Sequence, residues 1–359
     1  MKIDPTSLLY AGTYAEADAP GIHLLRMDAA SGSLQHLQGQ KAGPNPSFLA
    51  ISPDGKFLYA VNQLFDPDGK SGGVVSAFEI DPESGHLAYL NNQPSHGAGP
   101  CHLTTDRQGR FLLVANYRSG SMALYPLAGS GLIEEACQIL QHTGQGIRPE
   151  QGGPHAHYIA FSPDNRFCIC CDLGIDQVMV YRFDPAAGAL TMHGEAATSP
   201  GAGPRHLDFA PDGSHAYLIN ELDSTMTAYA YAAELGTLRE LQTISTLPEG
   251  YTGLNSCAEI YVHPSGNFVY GSNRGHDSIV VFRVAPHTGM LELVQHESTR
   301  GKAPRNFVID PTGRFLLAAN QDSDTIVSFR IDSQTGTLTS EQSINLPKPV
   351  CLKFLLQPG

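Results

Sequence analysis

The stretch "PRHLDFAPDGSHAYLINELDS" (residues 204–224) places a guanidinium and an imidazole side by side, Arg205 and His206, and a carboxylate, Glu221, near its far end. Imidazoles and carboxylates transfer protons near neutral pH, and a guanidinium grips a carboxylate or phosphate with its planar fork. Brought together, the three would activate water beside a small anion. On their own, Arg205 and Glu221 can also be read as a pair satisfying each other. The question is whether the fold gathers more groups of this kind at the same place.

The elements that carry them repeat. "PSFLAISPDGKFLYAVN" (46–62) recurs as "PCHLTTDRQGRFLLVAN", "AHYIAFSPDNRFCICCD", "PRHLDFAPDGSHAYLIN", "CAEIYVHPSGNFVYGSN" and "PRNFVIDPTGRFLLAAN", about fifty residues apart each time. Apolar residues four and two places before the turn (Leu49/Ile51, Leu207/Phe209, Phe307/Ile309) give strand alternation. The turns, mostly Asp-Gly, Ser-Gly, Thr-Gly or Asp-Asn, tolerate the positive φ of a tight hairpin. After each hairpin comes a second motif such as "DQVMVYRFDPAAGAL" or "DTIVSFRIDSQTGTL", which predicts a third strand, a turn and a fourth strand. A further copy, "PGIHLLRMDAASGSL", follows "LLYAGTY" near the start, but its first strand is missing there. "PVCLKFLL" (349–356) at the other end repeats "PRNFVIDP" and supplies it. The expectation is an all-β chain: one domain over residues 1–359, a seven-bladed β-propeller of four-stranded antiparallel blades, closed by the C-terminal strand joining the N-terminal blade. A β-helix would use shorter repeats, and a WD40 propeller would show a Trp-Asp pair, whereas the chain has no tryptophan.

In such a blade the start of the first strand lies beside the end of the second, so Arg205, His206 and Glu221 meet at one mouth of the central channel. Reading equivalent positions around the ring adds His157, Glu259, Arg274, Arg305 and Asn306, from consecutive repeats, while the other repeats carry neutral or apolar residues. Repeat geometry alone would favour similar residues in every copy. A one-sided charged patch is instead what a small anionic ligand requires. Arg205 shares its alternation phase with Leu207, so it must splay to reach the mouth. Two glycine-rich inter-blade loops, "GQGIRPEQGGPH" and "PEGYTGLNS", lead onto the same face and add Arg148, His155 and Tyr251 as weaker binding candidates.

Other classes are disfavoured. A net charge of −13 does not suit nucleic acid. No run of eighteen apolar residues predicts a membrane helix, and an acid and a proline interrupt "MKIDPTSLLYAGTY" where a signal peptide needs an apolar core. The seven cysteines have no disulfide-like layout. Cys168 and Cys171, though C-x-x-C, lie in a strand that sends them to opposite faces, predicting buried thiols in a reducing cytoplasm. His155 and His157 beside Asp172 lack a third convergent metal ligand, and no G-x-S-x-G nucleophile setting exists. Neither metal nor cofactor is expected, and oligomeric state is not readable.

Over essentially its whole length the chain resembles the lactonase seven-bladed propeller family, which includes propeller-type 6-phosphogluconolactonases and is related to carboxy-cis,cis-muconate cyclase. "GAGPRHLDFAPDG", "YLINELDS", "GPHAHYIAFSPD" and "YGSNRGHDSIVVF" carry the resemblance. It implies a metal-independent site of His, Arg and Glu at the channel mouth. The family histidine falls on "PHAHY", with His157 the better match and His155 the other choice; the remaining groups fall on Arg205, Glu221 and Arg274. It also implies a small anionic lactone substrate, 6-phosphogluconolactone of the pentose phosphate pathway. His157 or Glu221 would activate water, and Arg205 and Arg274 would hold phosphate or the developing oxyanion, assisted by Arg305 and His206. A lactonising cyclase, or a propeller that binds a partner or sugar phosphate without turnover, would use the same mouth.

Overall fold

The computed structural model of the protein describes residues 8–64 and 72–355. Outside these lie residues 1–7, the first half of the segment that argues against a signal peptide, residues 65–71, and the end of the chain from Leu356. Among the described residues the strands form seven four-stranded antiparallel sheets. The blade bearing the opening stretch runs outward as Pro204–Phe209, His215–Asn220, Thr225–Ala232 and Thr237–Ser245. The C-terminal strand Pro349–Phe354 pairs with Leu8–Thr13 as the innermost strand of the first blade, so the ring closes as the displaced repeat requires. Hairpin turns adopt the anticipated left-handed backbone, with φ 70° at Gly213 and 63° at Asn165.

The apolar core lies between neighbouring blades rather than at one centre. Cys168 and Cys170 pack with Leu113 and Ala115 of the preceding blade, while Cys171 packs with Leu207 and Leu218 of the next. All three thiols are buried, as strand alternation dictates. Tyrosine hydroxyls tie blade to blade: Tyr10, Tyr59, Tyr217 and Tyr270 each donate to a glycine carbonyl of the following blade, at Gly85, Gly131, Gly289 and Gly336. No helix among the described residues is long and apolar enough to cross a membrane.

Two backbone devices shape the mouth. First, every innermost strand carries one extra residue near its start. Pro204 pairs with Asn220 and His206 with Ile219, leaving Arg205 as a bulge. The same step displaces Ser47, Cys101, His157, Arg305 and Val350, and Ala258–Glu259 in the remaining blade. Most of these strands begin with proline, which cannot donate to the ladder. A bulge re-aims its side chain, so Arg205 leaves the phase of Leu207. The splaying that alternation demanded is thus a repeated feature of the ring.

Second, six of the seven second strands carry a buried amide or carboxylate at or beside their last residue, Thr13 standing there in the first blade, and most of these groups fasten the loops above. Asn62, Asn116, Asn273 and Asn320 donate through Nδ2 to the carbonyls of Ala42, Ser95, Thr246 and Thr299. Asp172 stands at this position in the His157 blade, with carboxylate oxygens where the others have an amide N–H donor. Its partners are therefore donors: the His155 amide at 2.6 Å, the Gly174 amide at 3.0 Å and His142 Nδ1 at 2.6 Å.

Candidate active site

The structure brings His157, Arg205, Glu221, Arg274 and Arg305 to one mouth of the channel. Glu221 lies between two guanidiniums, with Oε2 2.7 Å from Arg205 Nε and Oε1 3.0 Å from Arg274. Arg205, only 2% exposed, also donates to the Ala258 carbonyl, and Arg274 to that of Cys257 at 2.8 Å. Burial lowers the Arg205 pKa to about 10 despite the opposing pull of Glu221, which shows how costly that charge is to enclose. Burial alone would raise Glu221, but Arg274, Arg205 and Arg305 outweigh it and hold the carboxyl below its usual range. Glu221 is thus a fixed anion that organises two cations. Arg305 has no described carboxylate partner; its guanidinium lies 5.7 Å from the centre of the Tyr14 ring.

A cavity of about 300 Å³ opens here, lined by Tyr14, Gln63, Tyr117, Arg118, His157, Glu221 and Arg305, among others. An adjoining cleft of about 500 Å³ shares Tyr14 and Arg305 and adds Arg274 and Lys302, together with Asp277 and Asp322. His157 is buried and neutral: enclosure first, then Arg205, His206, Arg305 and Arg274, push its pKa well below the ordinary imidazole value. Its ring meets Tyr117 edge-on at 5.4 Å. Cys101, also on the lining, has its thiol pushed up to about 12, chiefly by burial, and bonds to the His157 carbonyl at 3.3 Å. It is a support for the histidine's backbone, not a nucleophile.

His206, Glu259 and Asn306 lie one layer deeper. His206 Nδ1 is 2.8 Å from Glu259 Oε1, and Asn306 Nδ2 donates to Glu259 Oε2. Around them the rings of Phe48, His102, Tyr158 and His206 touch one another, with centroid separations of 4.1 Å for Phe48–His102, 4.5 Å for His102–Tyr158 and 5.2 Å for His102–His206. This layer plugs the channel. Beyond it a second cavity of about 580 Å³, reaching Asp208 and Lys353, belongs to the opposite end.

The remaining candidates sit off the cavity linings. His155 stacks on Tyr117 at 4.6 Å and donates from Nδ1 to its carbonyl at 2.8 Å, so the tyrosine holds the two histidines of the H-x-H pair in different surroundings. The Arg148 side chain is exposed beside Gly201. Tyr251 bonds back to Leu254 and packs on His276. Asp172 is engaged by the His142 ring and by backbone amides, that of His155 among them, rather than by the imidazoles of the H-x-H pair. Sequence reasoning passed over Arg118, which lines the mouth directly after Tyr117. Reading one further residue past each second strand would have found it.

Comparison with known proteins adds an independent line. The family model described as "Lactonase, 7-bladed beta-propeller" matches residues 8–354. A 6-phosphogluconolactonase of Bacillus subtilis is 38% identical over 349 residues, 97% of this chain and 98% of that protein. The crystal structure of a putative 6-phosphogluconolactonase from Bacteroides fragilis superposes with a TM-score of 0.89 at 36% identity, covering 97% of each chain. That of a periplasmic gluconolactonase from Pseudomonas aeruginosa gives 0.91 at 34%, covering 98% of this chain and all of the other.

Proposed function

Since the chain belongs to the lactonase family of seven-bladed β-propellers, we propose that its mouth cavity hydrolyses a sugar-acid lactone, 6-phosphogluconolactone above all. The observation that carries the reading is a neutral, buried imidazole sharing one cavity with guanidiniums that outnumber the carboxylate. A volume near 300 Å³ is at the scale of small-molecule sites.

His157 acts as the base. It is unprotonated at neutral pH, whereas both oxygens of Glu221 are engaged by cations and its basicity is correspondingly low. Water loses a proton to His157 as its oxygen bonds to the lactone carbonyl carbon. The ring C–O bond then breaks, the ring oxygen takes the proton from the imidazolium, and the hydroxy acid formed gives its carboxyl proton to solvent and leaves as the carboxylate. Arg205 and Arg274 are committed to Glu221 and to backbone carbonyls, so Arg305 is the guanidinium best placed to meet the substrate's anionic group or the developing oxyanion. The seven thiols, all free of disulfides, fit a cytoplasmic enzyme.

Steady-state hydrolysis of freshly prepared 6-phosphogluconolactone, with the spontaneous rate subtracted, tests the reading. Turnover is expected, and His157→Ala should lower kcat at least ~100-fold, the contribution of a positioned base. Full turnover by a folded His157→Ala protein rejects the scheme. The same assay on unphosphorylated gluconolactone, the class named for the Pseudomonas aeruginosa relative, asks whether the phosphate is recognised: Arg305→Met should erase any preference for the phosphorylated lactone. Tight binding of 6-phosphogluconate without turnover would point to a non-catalytic propeller instead.

A further inference from the structure

Beneath the mouth, between His157 and the plugging layer, lies a small space of about 10 Å³. Three buried polar atoms among the residues lining it have no partner: Ser47 Oγ, His157 Nδ1 and His206 Nε2. One water fits a cavity of roughly 10–15 Å³ and takes about three hydrogen bonds when buried. Three orphaned groups around a space for one molecule of matching valence is a built site, since a buried polar atom left unpaired costs about 1–3 kcal/mol.

The surrounding bonds fix which atoms carry protons. Asn306 Oδ1 accepts from the Leu352 amide at 2.8 Å, so its Nδ2 is the group facing Glu259. Glu259 also accepts from the Ile260 amide at 3.1 Å, and its carboxyl stays ionised because His206, Lys353 and Arg205 outweigh its burial. His206 must then donate from Nδ1 to Glu259, which leaves its buried, unpartnered Nε2 as an acceptor on a residue that lines the cavity. A water donating to His206 Nε2 and sharing a hydrogen bond with Ser47 Oγ has an oxygen lone pair left for a donor, and His157 Nδ1 is the remaining neighbour.

We propose that this cavity binds a single structural water, and that the chain Glu259–His206–water holds His157 with its proton on Nδ1, leaving Nε2 as the lone-pair nitrogen for substrate. Ser47, His206 and Glu259 are positioning residues for the base. When His157 takes a proton at Nε2, the imidazolium keeps its Nδ1–H bond to the water, and the relay couples it to the Glu259 carboxylate two partners away. The role assigned to His157 rests on the lactonase reading; the bound water and the tautomer do not.

The test is therefore read first without substrate. In full-length protein carrying ¹⁵N-labelled histidine, long-range ¹H–¹⁵N correlations at pH 7.5 should show both His157 and His206 as Nδ1–H tautomers. A crystal structure at atomic resolution should show one water within hydrogen-bond reach of all three atoms. Ser47→Val, which adds a methyl group to the cavity and removes the hydroxyl, should expel the water and mix the His157 tautomers. Glu259→Gln, which can turn the His206 proton to Nε2, should change the His157 signature while the fold persists. Both variants should lose kcat by about tenfold or more with KM nearly unchanged. A His157 proton found on Nε2 in the parent protein, an empty cavity, or a tautomer indifferent to folded Glu259→Gln would overturn the proposal. Absence of lactone turnover alongside the predicted tautomers would instead count only against the lactonase reading.

Discussion

Consider Glu221→Gln, which keeps the shape of the side chain and deletes its charge. Two guanidiniums lose their counter-ion at once: Arg205, at 2.7 Å, and Arg274, at 3.0 Å. Arg274 and Glu221 keep some contact with solvent, at 16% and 17% side-chain exposure, but Arg205 is enclosed. Removing one partner of a buried pair costs about 3–5 kcal/mol because the other charge stays behind; partial solvation of the mouth favours the lower end. Unfolding entropy scales with chain length, so for 359 residues about 3 kcal/mol lowers Tm by roughly 4 °C. Adding Arg205→Met removes the stranded charge, and the double variant should recover about 2 kcal/mol relative to Glu221→Gln while turnover stays low. Thermal unfolding followed by circular dichroism supplies the stability cycle, and proton release from lactone hydrolysis, read with a pH indicator, supplies activity. Independent sites would instead add their losses. A Glu221→Gln protein that melts with the parent, or a double variant that melts below both singles, would refute the view of Glu221 as the fixed anion of the mouth.

Acid should destabilise the protein. His102, His157 and His206 are held neutral chiefly by burial, His206 down to about 4, whereas unfolded imidazoles protonate near 6.5. The unfolded chain then binds more protons below pH 6.5, so stability present above that pH is lost as pH falls; Asp208, raised to about 7 by burial, offsets about one of the three protons. Urea melts at pH 5, 6 and 7.5 should show a loss on the order of 2–3 kcal/mol per pH unit near pH 5, and flat stability would contradict it. Gly174→Ala should reduce turnover more than stability, because a Cβ there overlaps the Gly153 carbonyl and lies 2.8 Å from the His155 amide, displacing the loop that enters His157; kcat and Tm measured together check this, and unchanged kcat would count against it. Truncation before Pro349 removes the innermost strand of the first blade and exposes its buried face, so cooperative unfolding should disappear from a calorimetric scan. A sharp transition in the truncated chain would mean that the ring does not need its clasp.

The ring and its closure were legible because strand alternation and turn residues repeat in every unit, and the one unit lacking a first strand has that strand at the other terminus. The gathering of His157, Arg205, Glu221 and Arg274 at one mouth followed from antiparallel pairing within a blade and from equivalent positions around the ring. Depth did not. A bulge depends on how a strand registers against its neighbour, so sequence gave Arg205 the phase of Leu207, and it did not show that His206 and Glu259 lie a layer below. Loop residues were the least readable. Arg148 and Tyr251 share the right face, but nothing in their sequence sets how far a glycine-rich connection reaches: the Arg148 side chain stays exposed and Tyr251 bonds back to Leu254. Arg118 was missed for the opposite reason: it falls just past the repeat, where the aligned strands no longer report on position.

The interlocked rings of Phe48, His102, Tyr158 and His206 have a kinetic corollary. With the bore stopped at that level, whatever enters from the mouth side must depart by the same doorway. Incoming lactone and outgoing acid contend for a single vestibule, so the acid should inhibit competitively, and blocking the far funnel should leave throughput untouched.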